Sequence, residues 1–323
     1  MTELSIHRED APPPIKAAVL RELGVPEYGE FPAPSAGGGH EIVEVLAAGL
    51  NPVDVSISAG RFYAGTPTLP CVAGREGVGV LDGTRVYFDT PIAPYGSMAE
   101  RALVDPAGSY PLPDALDDGV AVALGISGLA AWLALDWRAH LEEGEHVLVL
   151  GASGVLGQIA VQAAKHLGAA RVVAAARSPD GLERARELGA DATVQLGEAE
   201  LATAFSDAAQ QRIDVVVDPL FGEPFAAALE AASFGARLVT LGASAGATAT
   251  IPSAPIRGKM LQIMGHTNFA APPEVKRDAY LRMAELASEG RLRVEIERMP
   301  LADVSAAWER LAEGAHRKIV LVP

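Results

Sequence analysis

Cysteine is nearly missing from this chain, since Cys71 is its single example. One thiol cannot close an intramolecular disulfide, nor supply the several thiolates of a cysteine-rich zinc lobe. That usage fits a reducing cytoplasm. Positive charge is also scarce. Against 41 Asp and Glu stand 26 Lys and Arg, a formal net charge of -15, so nucleic acid and an anionic membrane surface would be repelled. The seven histidines, from His7 to His316, show no short metal-ligand pairing. Each reads as a surface or internally satisfied histidine. No run supplies the roughly 18 uninterrupted apolar residues of a membrane span, and residues 1–14 carry acids and prolines with no apolar signal core. These absences leave a soluble, unexported protein whose partner is a small molecule.

What is present is apolar: 49% of 323 residues, enough for about two packed domains. Residues 1–14 read as a mobile leader. From Ile15 to about Gly125 short alternating strands are expected at 16–20, 41–46, 77–81, 85–88 and 99–104, an all-β half. A helix over 121–135 then leads into alternating elements. Strands are predicted at 146–150, 171–176, 193–196, 213–217, 237–241 and 260–264, with helices at 181–188, 201–209 and 224–232 among them. This rhythm predicts an α/β fold, a doubly wound parallel sheet. A helix at 273–288, a strand at 293–297, a helix at 301–312 and a last strand at 318–322 follow. The closing β segments are expected to rejoin the first domain. The division is therefore 15–125 plus 269–323 for the β-rich domain, and 126–268 for an inserted dinucleotide-binding domain.

The most informative stretch is Gly151-Ala152-Ser153-Gly154-Val155-Leu156-Gly157, between a buried strand and a helix with Ile159, Ala160, Ala163 and Leu167 at helical spacing. A pyrophosphate is drawn to the free N–H groups and positive dipole end of a helix N-terminus when no side chain keeps it away. Gly151 permits the tight turn, Gly154 admits the phosphates, and Gly157 lets helix and strand pack closely. The next strand ends in Arg177-Ser178. A guanidinium can hold a 2′-phosphate through two charge-assisted hydrogen bonds with Ser178 adding a third contact, which favours NADPH over NADH. The competing interpretation is a solvated Arg177 paired with Asp180 or Glu183.

Several motifs occur in a familiar order: Asn51-Pro52-Val53-Asp54, Gly74-Arg75-Glu76-Gly77-Val78-Gly79, the Gly151 to Gly157 loop, and Gly189-Ala190-Asp191. With Gly265-His266-Thr267-Asn268-Phe269 and Lys318-Ile319-Val320-Leu321, they resemble the zinc-independent quinone oxidoreductases of the medium-chain dehydrogenase/reductase superfamily. The similarity runs from Ile15 to Pro323. It implies a GroES-like β domain built from both chain ends, a Rossmann domain, an active-site cleft between them, and reduction of a quinone or conjugated carbonyl by NADPH. It also implies a homodimer through the edge strand Met260 to Met264. Zinc-dependent members carry histidine in a Gly-His-Glu motif. Here Arg75 takes that place, and a guanidinium has no lone pair for a metal.

The resemblance places Asn51 beside the nicotinamide, although an Asn before Pro52 also suits a simple turn. It gives Asp54 a structural role, orienting neighbouring backbone or Arg75. Tyr63 matches a cleft-facing tyrosine that could stack on a quinone or donate a phenolic proton; it could equally pack its loop down. Ser127 matches a threonine whose hydroxyl meets the nicotinamide side, or it caps a helix. Gly242-Ala243 ends one parallel strand, and Asn268-Phe269 follows the last, both at carboxyl ends where open α/β sheets bind ligands. Lys259 reads as a solvated charge. Two positions depart from the family, Gly181 where lysine is frequent and Leu196 where tyrosine is. A shortened Leu81-Asp82-Gly83-Thr84 segment is expected to form a tight turn. Reduction of an enal, enone or enoyl-thioester double bond is an alternative activity, and a non-catalytic NADPH-binding role is another.

Overall fold

Alternating apolar residues broken by turns give the first third of the chain sheets rather than long helices. The computed structural model describes residues 12–197, 200–314 and 316–323. Most of the expected leader, residues 1–11, lies outside the described residues. The strands before residue 112 are β1 (Ile15–Leu20), β2 (Glu27–Phe31), β3 (Glu41–Gly49), β4 (Cys71–Val72), β5 (Glu76–Leu81), β6 (Thr84–Asp89), β7 (Arg101–Val104) and β8 (Ser109–Pro111). Between β5 and β6, Asp82 and Gly83 have φ of 46° and 75°, and Leu81 pairs with Thr84. That is the two-residue hairpin the Asp-Gly pair predicts, since both central positions need positive φ.

This half is not all β. Pro52–Ser58 is a helix, with Asn51 in extended conformation before it and proline at its first turn. Proline there has its φ preset and loses only an N–H that the first turn leaves unbonded anyway. The Asn-Pro pair is therefore a helix start rather than a simple turn.

The α/β region contains β9 (His146–Leu150), β10 (Arg171–Ala176), β11 (Ala192–Gln195), β12 (Val215–Asp218), β13 (Arg237–Thr240) and β14 (Gln262–Gly265). They form a parallel sheet in the order β11-β10-β9-β12-β13-β14. This is the Rossmann order, whose reversal point falls between β9 and β12. Helices cover both faces, so the central strands read as continuous apolar runs. Leu148, Val173, Val216 and Leu238 pack with Phe205 and Phe225 in one core. Each such side chain, fully buried, contributes about 1.5–3 kcal/mol.

Four strands start two or more residues later than their apolar runs predict, β7, β12, β14 and the strand expected at 293–297, and the last two show the cause. β14 begins at Gln262 rather than Met260, because Met260 has φ of 50° and the Leu261 N–H closes the helix Ser253–Gly258 onto Ile256. The strand expected at 293–297 is β15 (Ile296–Pro300). Arg293 is taken instead by the Gln162 side chain, which accepts its N–H at 2.8 Å and donates to its carbonyl at 2.9 Å. A side-chain amide has replaced the ladder. β15 and β16 (Lys318–Val322) then join β3, β5, β6, β7 and β8 in a seven-stranded sheet, so the chain end does return to the β-rich part. The molecule combines a GroES-like β-rich unit with a Rossmann unit.

The compact units are residues up to Pro111 with Arg298–Ala312 and Ile319–Pro323, and Leu112–Glu297 with Glu313–Lys318. The expected boundary at 125/126 falls at a kink in the helical run Asp118–Arg138, where Gly125 leaves helical conformation with ψ of -115°, whereas the compact units divide at 111/112. By length and composition that helix could cross a membrane, but 72% of its apolar window is buried inside the protein. It is a core helix. Its middle, Leu124–Gly128, is wound as a π-turn. The boundary expected at 268/269 likewise lies inside the second unit, because the helix Pro273–Ser288 buries Tyr280 and Met283 and donates the Tyr280 hydroxyl to the Ala121 carbonyl at 2.9 Å.

Candidate cofactor site

The glycine loop lies where its sequence places it, between the end of β9 and the helix Val155–His166. A Cβ on Gly157 would stand 2.3 Å from the Gly151 carbonyl oxygen and 2.5 Å from the Ala152 Cα. Only glycine fits. At Gly154 a Cβ would meet nothing nearer than 3.6 Å, and its φ and ψ of -77° and 164° suit any residue. Packing does not explain that glycine; an open approach for a ligand does. Among the described residues the N–H groups of Ser153, Val155, Leu156 and Gly157 make no backbone hydrogen bond. Ala152 is buried and its N–H is spent on the Ala175 carbonyl at 2.9 Å. Free donors at a helix start, with no side chain in front of them, fit the pyrophosphate of a dinucleotide.

Beyond β10, Arg177 is exposed and, among the described residues, makes neither a hydrogen bond nor an ion pair. Glu183 is engaged by Arg186 at 2.8 Å, so the expected rival pairing is not formed. Ser178 caps the helix Pro179–Glu187, its hydroxyl oxygen accepting the Gly181 N–H at 3.1 Å. That helix sits against the loop so closely that a Cβ on Gly181 would lie 2.3 Å from the Ser153 Cβ. Glycine at 181, which departs from the family, thus belongs with serine at 153. Gly181→Ala is expected to cost about 1–3 kcal/mol of stability by overpacking and to weaken dinucleotide binding by displacing Ser153; thermal melts and a fluorescence titration would show both. Leu196 is buried in the sheet core and offers a ligand no contact like that of the tyrosine it replaces.

Two further carboxyl strand ends join this one. Asp218 closes β12 and accepts the N–H groups of Leu220 and Phe221 at 2.9 and 2.8 Å. Burial raises its carboxyl above the ordinary range, those two hydrogen bonds opposing the shift. The turn it makes brings Leu220 beside Gly151, and Pro219 so close to Gly242 that a Cβ there would be 2.7 Å from the Pro219 carbonyl. Gly242 and Ala243 are exposed at the end of β13. Sequence reading missed Asp218, although an Asp-Pro pair ending a β-branched run is a turn signal.

Asn268 is committed within the protein. Its amide nitrogen donates to the Ile126 carbonyl at 2.9 Å, which leaves its oxygen facing His266 Nε2 at 3.0 Å. Burial, with the charge of Arg138, holds the His266 imidazole below its usual range against the opposing Asn268 bond. Asn268 therefore anchors the π-turn that carries Ser127. Ser127 is half-buried on that turn, and Phe269 is 47% exposed in the 3-10 turn Asn268–Ala270.

In the β-rich unit Asn51 is 1% exposed. Its side-chain amide donates to Glu76 at 2.8 Å and, weakly, to Asp54 at 3.4 Å, while its backbone N–H donates to Asp54 at 2.8 Å. Tyr87 donates to the other Glu76 oxygen at 3.0 Å. Asn51 thus fastens the start of helix Pro52–Ser58 to β5 and positions neighbours. Asp54 keeps the orienting role expected of it. Tyr63 is 75% exposed, its ring 4.4 Å from that of Phe62. It does not pack its loop onto the core. Cys71 is buried, and burial pushes its thiol up. Among the described residues no group of three His, Cys, Asp or Glu side chains could hold a metal ion. Lys259 donates to the carbonyls of Glu230 and Ala232, so it closes a helix instead of standing in solvent.

Comparison with known proteins identifies the family. Residues 155–286 match the family model described as zinc-binding dehydrogenase. Quinone oxidoreductase-like protein 2 of Rattus norvegicus is 30% identical over 275 residues, 79% of this chain and 77% of that protein. Prostaglandin reductase-3 of Bos taurus is 29% identical over 244 residues, 72% of this chain and 63% of that protein. The quinone oxidoreductase of Thermus thermophilus, solved also in complex with NADPH, superposes with a TM-score of 0.80 at 33% identity, covering 95% of this chain and all of the other. The glycine loop, the strand order and these relatives together make the chain a nicotinamide-dependent oxidoreductase belonging to the quinone oxidoreductase-like proteins of the medium-chain dehydrogenase/reductase superfamily.

Proposed function

We propose that the protein reduces quinones with NADPH and without zinc. The observation that carries the cofactor preference is Arg177, an exposed guanidinium without a partner among the described residues at the end of β10, where the 2′-phosphate of NADP is held in this fold. Val155, Leu156 and Gly157 donate N–H groups to the pyrophosphate, Arg177 holds the 2′-phosphate, and Ser178 orients the helix beside it. Gly242, Ala243 and Phe269 line further strand ends. When bound, the nicotinamide supplies the hydride. The chain's own part is then to orient the acceptor, exclude water and polarise the acceptor oxygen. Tyr63 is the proposed phenolic donor, and Asn51 shapes the backbone of its own unit through Glu76 and Asp54.

Zinc independence is supported by donor chemistry. Arg75 cannot ligate a cation, and the buried, protonated Cys71 is a poor ligand. We place the protein in the cytoplasm on the same free thiol. A homodimer is supported by β14, whose Gln262 and Ile263 are exposed at the sheet edge. The likeness to a prostaglandin reductase favours a second reading, reduction of a conjugated carbon–carbon double bond. Oxidation of NADPH followed with duroquinone, a 2-alkenal and an enoyl thioester separates the two. The proposal expects turnover fastest with the quinone; turnover with the enal or thioester alone would establish the second reading, and binding without oxidation would establish a non-catalytic role.

A further inference from the structure

Gln158 lies on the helix that follows the glycine loop and is 2% exposed. Its side-chain nitrogen has two acceptors, the Ser153 carbonyl at 2.9 Å and the His316 carbonyl at 2.7 Å. Two carbonyls at one end identify that end as the nitrogen, and both of its N–H bonds are spent. The remaining oxygen has no partner among the described residues. A buried acceptor left so is costly, so the amide is held here for its two donated bonds and not for its fit to the core. The position is therefore not explained by packing.

The two bonds join parts of the parallel-sheet unit that lie far apart in sequence. In a regular helix the Ser153 carbonyl would take the N–H four residues on, that of Gly157. The Gln158 side chain occupies it instead, and the Gly157 N–H stays unspent at the pyrophosphate site. The other bond holds the segment at residues 316–318, whose Lys318 N–H also donates to the Glu295 carbonyl at 2.9 Å.

We propose that Gln158 is a positioning residue that couples the dinucleotide cradle to the segment at residues 316–318. Dinucleotide binding tightens the segment, and by reciprocity a loosened segment weakens the cradle. The inference rests on the cofactor reading of the glycine loop, not on the identity of the acceptor.

The test compares the parent protein with Gln158→Met and Gln162→Met. Gln162 is buried, holds the Arg293 backbone and donates to the Gln158 backbone carbonyl at 3.1 Å, and among the described residues it makes no hydrogen bond to the glycine loop. Each protein is titrated with NADPH and NADH by fluorescence, melted, and followed by hydrogen exchange across residues 316–318 with and without the tighter-binding dinucleotide. The parent segment should slow its exchange on binding. Gln158→Met should bind about tenfold more weakly, the loss of roughly one good hydrogen bond, and its segment should no longer respond. Gln162→Met should melt lower yet bind like the parent. The coupling is overturned if the parent segment ignores bound dinucleotide, or if Gln158→Met binds within about twofold of the parent and its segment still responds. A parent that binds neither dinucleotide would overturn the cofactor reading itself, and the coupling with it.

Discussion

Gly157→Ala should abolish measurable NADPH binding and lower the melting temperature, whereas Gly154→Val should abolish binding and leave the melting temperature almost unchanged. The difference lies in what each missing side chain makes room for. At Gly157 a Cβ would strike backbone atoms at 2.3 and 2.5 Å, and backbone cannot rotate aside. Relief requires the loop to separate from the helix, which costs about 1–3 kcal/mol as overpacking and a melting temperature lower by several degrees. The displaced loop also turns the donor N–H groups away. At Gly154 the Cβ would stand 3.6 Å from its nearest neighbour, so the protein alone has little to lose. The occupant of that open space is the pyrophosphate. Losing two charge-assisted hydrogen bonds at about 1.5–3 kcal/mol each would weaken binding at least a hundredfold. Melts and fluorescence titrations of both variants measure this directly, and parent-like NADPH affinity in Gly154→Val would show that the phosphates pass elsewhere.

Arg177→Ala should change which cofactor the protein prefers. Because Arg177 has no partner among the described residues, its removal leaves no buried group exposed and no ion pair broken, and the melting temperature should stay within about one degree of the parent. Because Arg177 is exposed and solvent screens it, the guanidinium's two bonds to a 2′-phosphate are together worth about 1.5–3 kcal/mol, or roughly ten- to a hundredfold in the Michaelis constant for NADPH. NADH lacks that phosphate. Its constant should move by less than about twofold. Equal losses with both cofactors would make Arg177 a general support for the loop and remove the basis for NADPH preference.

The glycine loop and the strand order are legible because each rests on local chemistry. Val147 to Leu150 could be only a buried strand, and three glycines at that spacing before a helix have one common use. Misplaced boundaries come from side chains acting as backbone. Gln162 pairs with Arg293 as a neighbouring strand would, and no local pattern announces that. The helix at Pro52 is legible in principle, since asparagine before proline is a helix start as well as a turn; strand-rich surroundings hide it. Position at a carboxyl strand end assigns Asn268, and the resemblance Asn51, to ligand contacts, and in the structure both side chains also bond to protein partners. Polar side chains of this kind announce themselves only through partners 142 and 25 residues away. Gln158 escapes for the same reason.

The most direct measurement is anaerobic oxidation of NADPH by the protein with duroquinone, after exhaustive chelation and with zinc content determined on the same sample. A zinc-independent quinone reductase should consume one NADPH per quinone reduced, at a rate that is the same before and after chelation and falls sharply when NADH replaces NADPH. Tight NADPH binding with no oxidation in the presence of quinone, or activity lost on chelation and restored by zinc, would contradict it.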